Sequence, residues 1–166
     1  MQDESEFMKF WKSFALALTG VAVIAIPTRA EINPNGQSVL CKQKGWLTEI
    51  AISSPEFVVA ICIDKNLPGN INSYELTPTH YVGQNKNTGG KIILPLTESD
   101  NMPGEPAFYK AVNGQYTYQM YVSTAQNYSS ECQCQVIDTD TITLSVFKNG
   151  QRIYKYETDK YLSGWK

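Results

Sequence analysis

The sequence predicts an all-β fold: an antiparallel sandwich or small barrel of about eight to nine short strands, preceded by a helical signal peptide. Three observations carry this reading. Beyond residue 30, apolar residues recur at a period of two or in short β-branched runs rather than at helical spacing. Turn residues punctuate the chain about every ten positions, with Asn-Gly pairs at 113–114 and 149–150. The one long apolar run with helical character, Phe14 to Ile26, belongs to an export signal.

That signal spans Met8 to Ala30. Lys9 and Lys12 supply its basic start, Pro27 ends its apolar run, and Thr28-Arg29-Ala30 places small residues where a signal peptidase reads. The run of about 13 residues falls short of the roughly 20 that a spanning helix needs. Cleavage is expected after Ala30. Asp3, Glu4 and Glu6 make residues 1–7 acidic where a signal is basic, so Met8 is the expected start. Residues 31–166 then form a single β-domain, long enough to bury a core. With three basic and three acidic residues before position 31, the exported part keeps 11 Lys/Arg and 13 Asp/Glu. It has no basic field to attract nucleic acid or anionic lipid. Its first cysteine is Cys41 and no lipobox closes the signal, so no membrane attachment is expected after cleavage, and the product is expected to be a monomer in the periplasm or outside the cell.

In chain order, residues 31–38 read as a polar lead-in. Residues 46–53 and 57–64 read as a hairpin about the Ser53-Ser54-Pro55-Glu56 turn. Its second strand, Phe57-Val-Val-Ala-Ile-Cys-Ile63, is apolar throughout, as a strand buried on both faces is. Residues 65–79 read as a mobile polar loop. A strand begins at His80, and after the turn chemistry of residues 84–90 its partner covers Lys91 to Leu96. Pro95 marks an edge or a bend there. Residues 97–106 read as a second polar loop. Strands 107–112 and 115–122 flank Asn113-Gly114. Residues 123–131 read as polar connection, 132–137 as a strand, Asp138-Thr139-Asp140 as a turn, and 141–147 and 151–157 as a last hairpin about Asn149-Gly150. The tail, with Tyr161, Leu162 and Trp165, is expected to fold back on the core.

After export, an even cysteine count points to two disulfides among Cys41, Cys62, Cys132 and Cys134. On a straight strand Cys41 lies about 20 Å from the position opposite Cys62, too far for a bridge. The expected pairing therefore joins Cys41 and Cys62 each to one of Cys132 and Cys134, at roughly 4 kcal/mol per bridge. Pairing 41–62 with 132–134 is the alternative.

Catalytic signatures are scarce. The one histidine, His80, has no partner residue in the sequence pattern, and no G-x-S-x-G, H-E-x-x-H or phosphate-cradling glycine loop occurs. No cofactor or metal is called for. Glu98, Asp100 and Glu105 are the carboxylates that a glycosidase-type hydrolysis would draw on, and all fall on the loop at 97–106. Tyrosine is the enriched type, with 10 residues: Tyr116 and Tyr118 share a strand face and Tyr121 lies on the other. Rows of exposed tyrosines stack on sugars or anchor a protein partner, so these three are the candidate binding residues.

The segments Gly45-Trp46, Phe57 to Cys62, His80 to Gly83, Ile92 to Leu96, Ala111 to Gly114 with Tyr116-Thr117-Tyr118, and Leu144 to Ile153 together resemble a loose group of uncharacterised exported proteins of cyanobacterial type. The resemblance covers most of the exported part and implies a small β-domain without an assigned activity. Val112-Asn113-Gly114-Gln115-Tyr116 also resembles the inhibitory Ser-Gly-x-x-Tyr strand of periplasmic lysozyme-inhibitor barrels, although the Trp-x-Lys-Gly stretch of that family is absent. The function expected from all this is a non-enzymatic exported β-domain that binds a protein or a carbohydrate. The alternatives are an inhibitor of a cell-wall hydrolase and a hydrolase using the loop carboxylates.

Overall fold

The computed structural model describes residues 37–71, 76–100, 106–128, 136–160 and 163–164. The signal segment, Glu105, Cys132, Cys134, Tyr161, Leu162 and Trp165 lie outside them. The described chain is mostly antiparallel β-sheet with one turn of helix, and its contacts gather into two units, the described residues up to 93 with 163–164 and the described residues from 94 to 160.

The first unit contains the helical turn α1 (Val39–Lys42) and the strands β1 (Leu47–Ser53), β2 (Phe57–Ile63), β3 (His80–Asn85) and β9 (Ser163–Gly164), hydrogen-bonded in the order β3-β2-β1-β9. β2 is buried along its whole length between β1 and β3, as its unbroken apolar run requires. The Ser54 side chain closes the β1–β2 turn by accepting from the Phe57 N–H at 2.9 Å. In β1, Glu49 is the extra residue of a bulge, after which Ile50, Ala51 and Ile52 are all buried. Of the tail, Ser163 and Gly164 pair with Ala51 and Ile50. The stretch at 65–79 is less loose than its polarity suggests. Asn70 is buried, donates to the carbonyls of Asp64 and Thr77, and accepts from the Thr77 N–H and hydroxyl. Four hydrogen bonds on one amide tie the described ends of that loop together.

Sequence reading does not anticipate α1, and its presence corrects the disulfide pairing. Ser38 caps the turn by accepting from the Leu40 N–H, and its own N–H donates to Thr48 Oγ1 at 2.8 Å. At the other end Gly45 adopts φ +72°. Its N–H donates to the Lys42 carbonyl and the Trp46 N–H to the Cys41 carbonyl. This is the bond pattern of a Schellman closure, which needs glycine at the left-handed position. The chain therefore rises about 1.5 Å per residue and then reverses, instead of running on at about 3.3 Å. Cys41 arrives beside Cys62 at a Cα separation of 5.5 Å and bonds it. The expected bridges from Cys41 and Cys62 to Cys132 and Cys134 do not form. Both bridged cysteines lie in a core cluster with Leu40, Ala51, Val58, Ala60 and Val82.

The second unit contains most of β4 (Lys91–Asp100), then β5 (Ala107–Asn113), β6 (Tyr116–Tyr128), β7 (Val136–Lys148) and β8 (Gln151–Thr158), ordered β8-β7-β6-β5-β4. Three boundaries differ from the sequence reading. β4 runs through a bulge at Thr97 to Asp100, so Glu98 and Asp100 lie on a strand rather than a loop. β6 continues past Val122 to Tyr128, and β7 begins at Val136 and passes straight through Asp138-Thr139-Asp140. Inter-strand bonding supplies these polar residues with partners that local composition cannot reveal.

The two Asn-Gly hairpins also differ from each other. In the β7–β8 turn Asn149 and Gly150 both have positive φ, 51° and 79°, as a type I′ turn demands, and Lys148 pairs with Gln151. In the β5–β6 turn Asn113 is itself paired, with Tyr116, and the turn residues are Gly114 and Gln115. Positive φ occurs there at Gly114 alone, 58°, which suits a type II′ turn.

Candidate functional site

Each pleated strand of the second unit sends alternate residues to opposite faces. One face is core: Tyr109, Met120 and Leu144 are directly opposed on one rung, and Ala111, Tyr118 and Val146 on the next, all buried. Tyr116 and Tyr118 belong to this face at 3% and 1% exposure, which removes them as surface anchors. The sequence reading placed them together correctly and on the wrong side of the solvent boundary. Burial, with the Tyr116 phenol beside it, pushes the Tyr118 hydroxyl up to about 12, so it stays neutral at any ordinary pH. Lys148 Nζ lies 5.8 Å from the centre of the Tyr116 ring.

The opposite face is open apart from Ser145, which is buried. Its first rung is Asp100–Phe108–Tyr121–Thr143–Glu157 and its second Glu98–Lys110–Gln119–Ser145–Lys155. Tyr121 is 41% exposed at the middle of the first rung, and the half-buried Phe108 faces it from β5. The two-residue turn makes Asn113 and Tyr116 a hydrogen-bonded pair. Counting back by alternation, Phe108 and Tyr121 form a non-hydrogen-bonded pair, where cross-strand side chains come closest. Charge surrounds the aromatics. Lys110 Nζ bonds Glu98 Oε1 at 2.7 Å, and Lys155 Nζ bonds Glu157 Oε1 at 2.7 Å. Thr143 Oγ1 donates to Glu157 at 3.3 Å, and the Lys155 ammonium holds the Glu157 carboxyl below the usual carboxylate range. The result is an aromatic platform with carboxylates at both ends of its rung and an amide and two ammonium groups on the next. Such a surface stacks on a ring and accepts or donates hydrogen bonds around it.

Of the hydrolase carboxylates, Glu98 and Asp100 share this open face, and Glu98 is engaged by Lys110. Phe108, Gln119 and Lys110 were not singled out from sequence. The signal for them was present in the strict alternation of β5 and β6, read with the parity that buries Tyr109.

In the first unit Trp46 and His80 stack, with ring centroids 4.1 Å apart and planes 15° from parallel, and His80 Nδ1 meets Thr79 Oγ1 at 2.8 Å. Burial lowers the His80 pKa from 6.5, opposed by the Asp64 carboxylate. The folded chain therefore favours the neutral ring. Stability is full above 6.5 and falls as pH drops below that value, where the unfolded chain takes a proton that the folded chain resists. Because His80 is the one histidine of the chain, its ring signals can be followed by NMR without assignment variants. The expected titration midpoint lies below 6.5, and His80→Phe is expected to remove that part of the acid sensitivity of the urea midpoint. A midpoint above 6.5 would mean that the Asp64 carboxylate outweighs burial at this ring.

Compared with known proteins, the chain matches no family model, no curated protein and no solved structure.

Proposed function

We propose that the protein is an exported, non-enzymatic β-domain that acts in the periplasm or outside the cell by binding a carbohydrate or a protein on the open face of β4–β8. The observation that carries this reading is Tyr121, a large aromatic left 41% exposed on the middle strand of that face and opposed by Phe108. The Cys41–Cys62 bridge is consistent with an oxidising, exported location and so supports the compartment.

The test is binding of the chain from Glu31 on to envelope polysaccharide and envelope protein fractions, with Tyr121→Ala as comparison. An aromatic anchor at the centre of a contact surface is worth about 2 kcal/mol or more on truncation, which is a loss of roughly 30-fold in affinity. Binding that Tyr121→Ala leaves unchanged would move the site elsewhere. One further observation favours inhibition of a cell-wall hydrolase. Gly114 and Gln115 are exposed in the β5–β6 turn and Val112 beside them is 39% exposed, in the segment that resembles the inhibitory strand, although the tyrosine of that segment, Tyr116, is buried. A lysozyme assay decides it: no inhibition at excess protein dismisses that reading and leaves the open-face reading standing.

A further inference from the structure

The hairpin of β6 and β7 is longer than the sheet that carries it. β5 accompanies β6 only as far as Val122, paired with Ala107, and β8 accompanies β7 only from Ile142, paired with Thr158. Beyond those rungs, β6 and β7 pair with each other alone through six more, from Ser123↔Thr141 to Tyr128↔Val136. Among the described residues no third strand pairs with this ribbon on either side. At about 3.3 Å per residue the ribbon is roughly 20 Å long. A two-stranded ribbon is marginal in water, and a third strand or more is what stabilises it.

The register shows which backbone groups are left over. The Asn149 N–H donates to the Gln115 carbonyl at 2.9 Å, which makes Gln115/Asn149 a hydrogen-bonded rung of the β6–β7 ladder. No register shift intervenes up to Tyr128. Hydrogen-bonded rungs alternate, so Ser123, Ala125 and Asn127 bond β7, whereas Thr124, Gln126 and Tyr128 turn their N–H and C=O groups away from it. On β7 the same rule turns Val136, Asp138 and Asp140 outward along the other edge. The two edges differ in charge. The β6 edge reads Ser-Thr-Ala-Gln-Asn-Tyr and so lacks two of the usual blocks to strand pairing, charge and proline. The β7 edge carries Asp138 and Asp140.

We propose that residues Ser123–Tyr128 of β6 pair antiparallel with the same residues of a second copy of this chain, joining two ribbons into a four-stranded sheet in the order β7-β6-β6-β7. A two-fold axis brings identical strands together. The neutral β6 edge meets itself without repulsion, whereas the β7 edge would set aspartates against aspartates. The contact is six residues a side and its area is small, so the dimer is weak and dilution dissociates it. It revises the monomer expected from sequence and is independent of any ligand at Tyr121.

The test is the solution mass of the chain from Glu31 on, by sedimentation over a wide dilution series. A Cys132→Ser/Cys134→Ser background is used throughout, so that no mixed disulfide imitates association. The expected mass is twice that of the chain at high concentration and falls to the single-chain value on dilution. Thr124→Lys/Gln126→Lys is expected to stay monomeric at every concentration with an unchanged far-UV spectrum, and Asp138→Lys/Asp140→Lys to associate as the parent does. If the lysines disturb the fold, Gln126→Pro replaces them, because the N–H it removes faces away from β7. A parent that is monomeric throughout, a dimer that survives the β6-edge variants, or one equally lost in the β7-edge variant overturns the proposal.

Discussion

Cys41→Ala/Cys62→Ala is expected to lower the unfolding free energy by about 3 kcal/mol. The bridge spans 21 residues, and the chain-entropy model assigns roughly that much to a loop of this size. The figure is smaller than for the long bridges to Cys132 and Cys134 that the sequence suggests, because the closed loop is shorter. The consequence is nonetheless local and severe. The bridge anchors α1 to the middle of the first unit, where Leu40 and Cys41 are buried against Ala60, Cys62 and Val82. Without it, Ser38, Thr48 and Gly45 still hold the turn by hydrogen bonds, so a destabilised fold is expected rather than none. Urea unfolding of parent and variant measures it. A variant as stable as the parent, or a Cys41–Cys62 peptide missing from a non-reducing digest, would refute the pairing.

Tyr109→Ala is expected to cost about 3–5 kcal/mol, the range for truncating a large buried aromatic. Tyr109 is fully buried on β5 and opposed by Met120, which is in turn opposed by Leu144, so the ring is enclosed on its own rung. Close-packed neighbours collapse only partly into such a hole, and the loss includes the cavity left behind. Tyr121→Ala, twelve positions on and on the other face, is expected to change stability by no more than about 0.5 kcal/mol, as surface substitutions do. The pair separates structural from functional tyrosines in one urea experiment. Equal costs at the two positions would show that the open face is covered and would end the binding-site reading.

The strands with strong apolar patterns were legible. Phe57–Ile63 reads as a strand buried on both faces and is one, and the β1–β2 and β7–β8 hairpins appear where alternation and turn residues put them, while the β5–β6 hairpin turns one residue further along. The open face was half legible, because alternation places Tyr121 opposite in sense to Tyr116 and Tyr118 without saying which sense meets solvent. What decides is the company on neighbouring strands. Tyr116 and Tyr118 share their face with Ala111, Tyr109 and Val146, whereas Tyr121 shares its own with Lys110, Gln119 and Glu157.

The β5–β6 turn shows a finer limit. Moving the turn from Asn113-Gly114 to Gly114-Gln115 shifts cross-strand pairing by two residues, and a slip of two keeps every side chain on its own face. Hydrophobic alternation cannot see it. By itself, then, the sequence determined an all-β chain, the identity of its core strands and the alternation of their faces, because those follow from the two-residue period of a pleated strand. Only tertiary structure decided that Cys41 bonds Cys62, since the reversal at Gly45 cancels the distance a straight strand would impose. It alone also decided that β6 and β7 run on, paired with each other, through polar residues to Tyr128 and Val136, because their backbone partners lie on the facing strand and not in the local sequence.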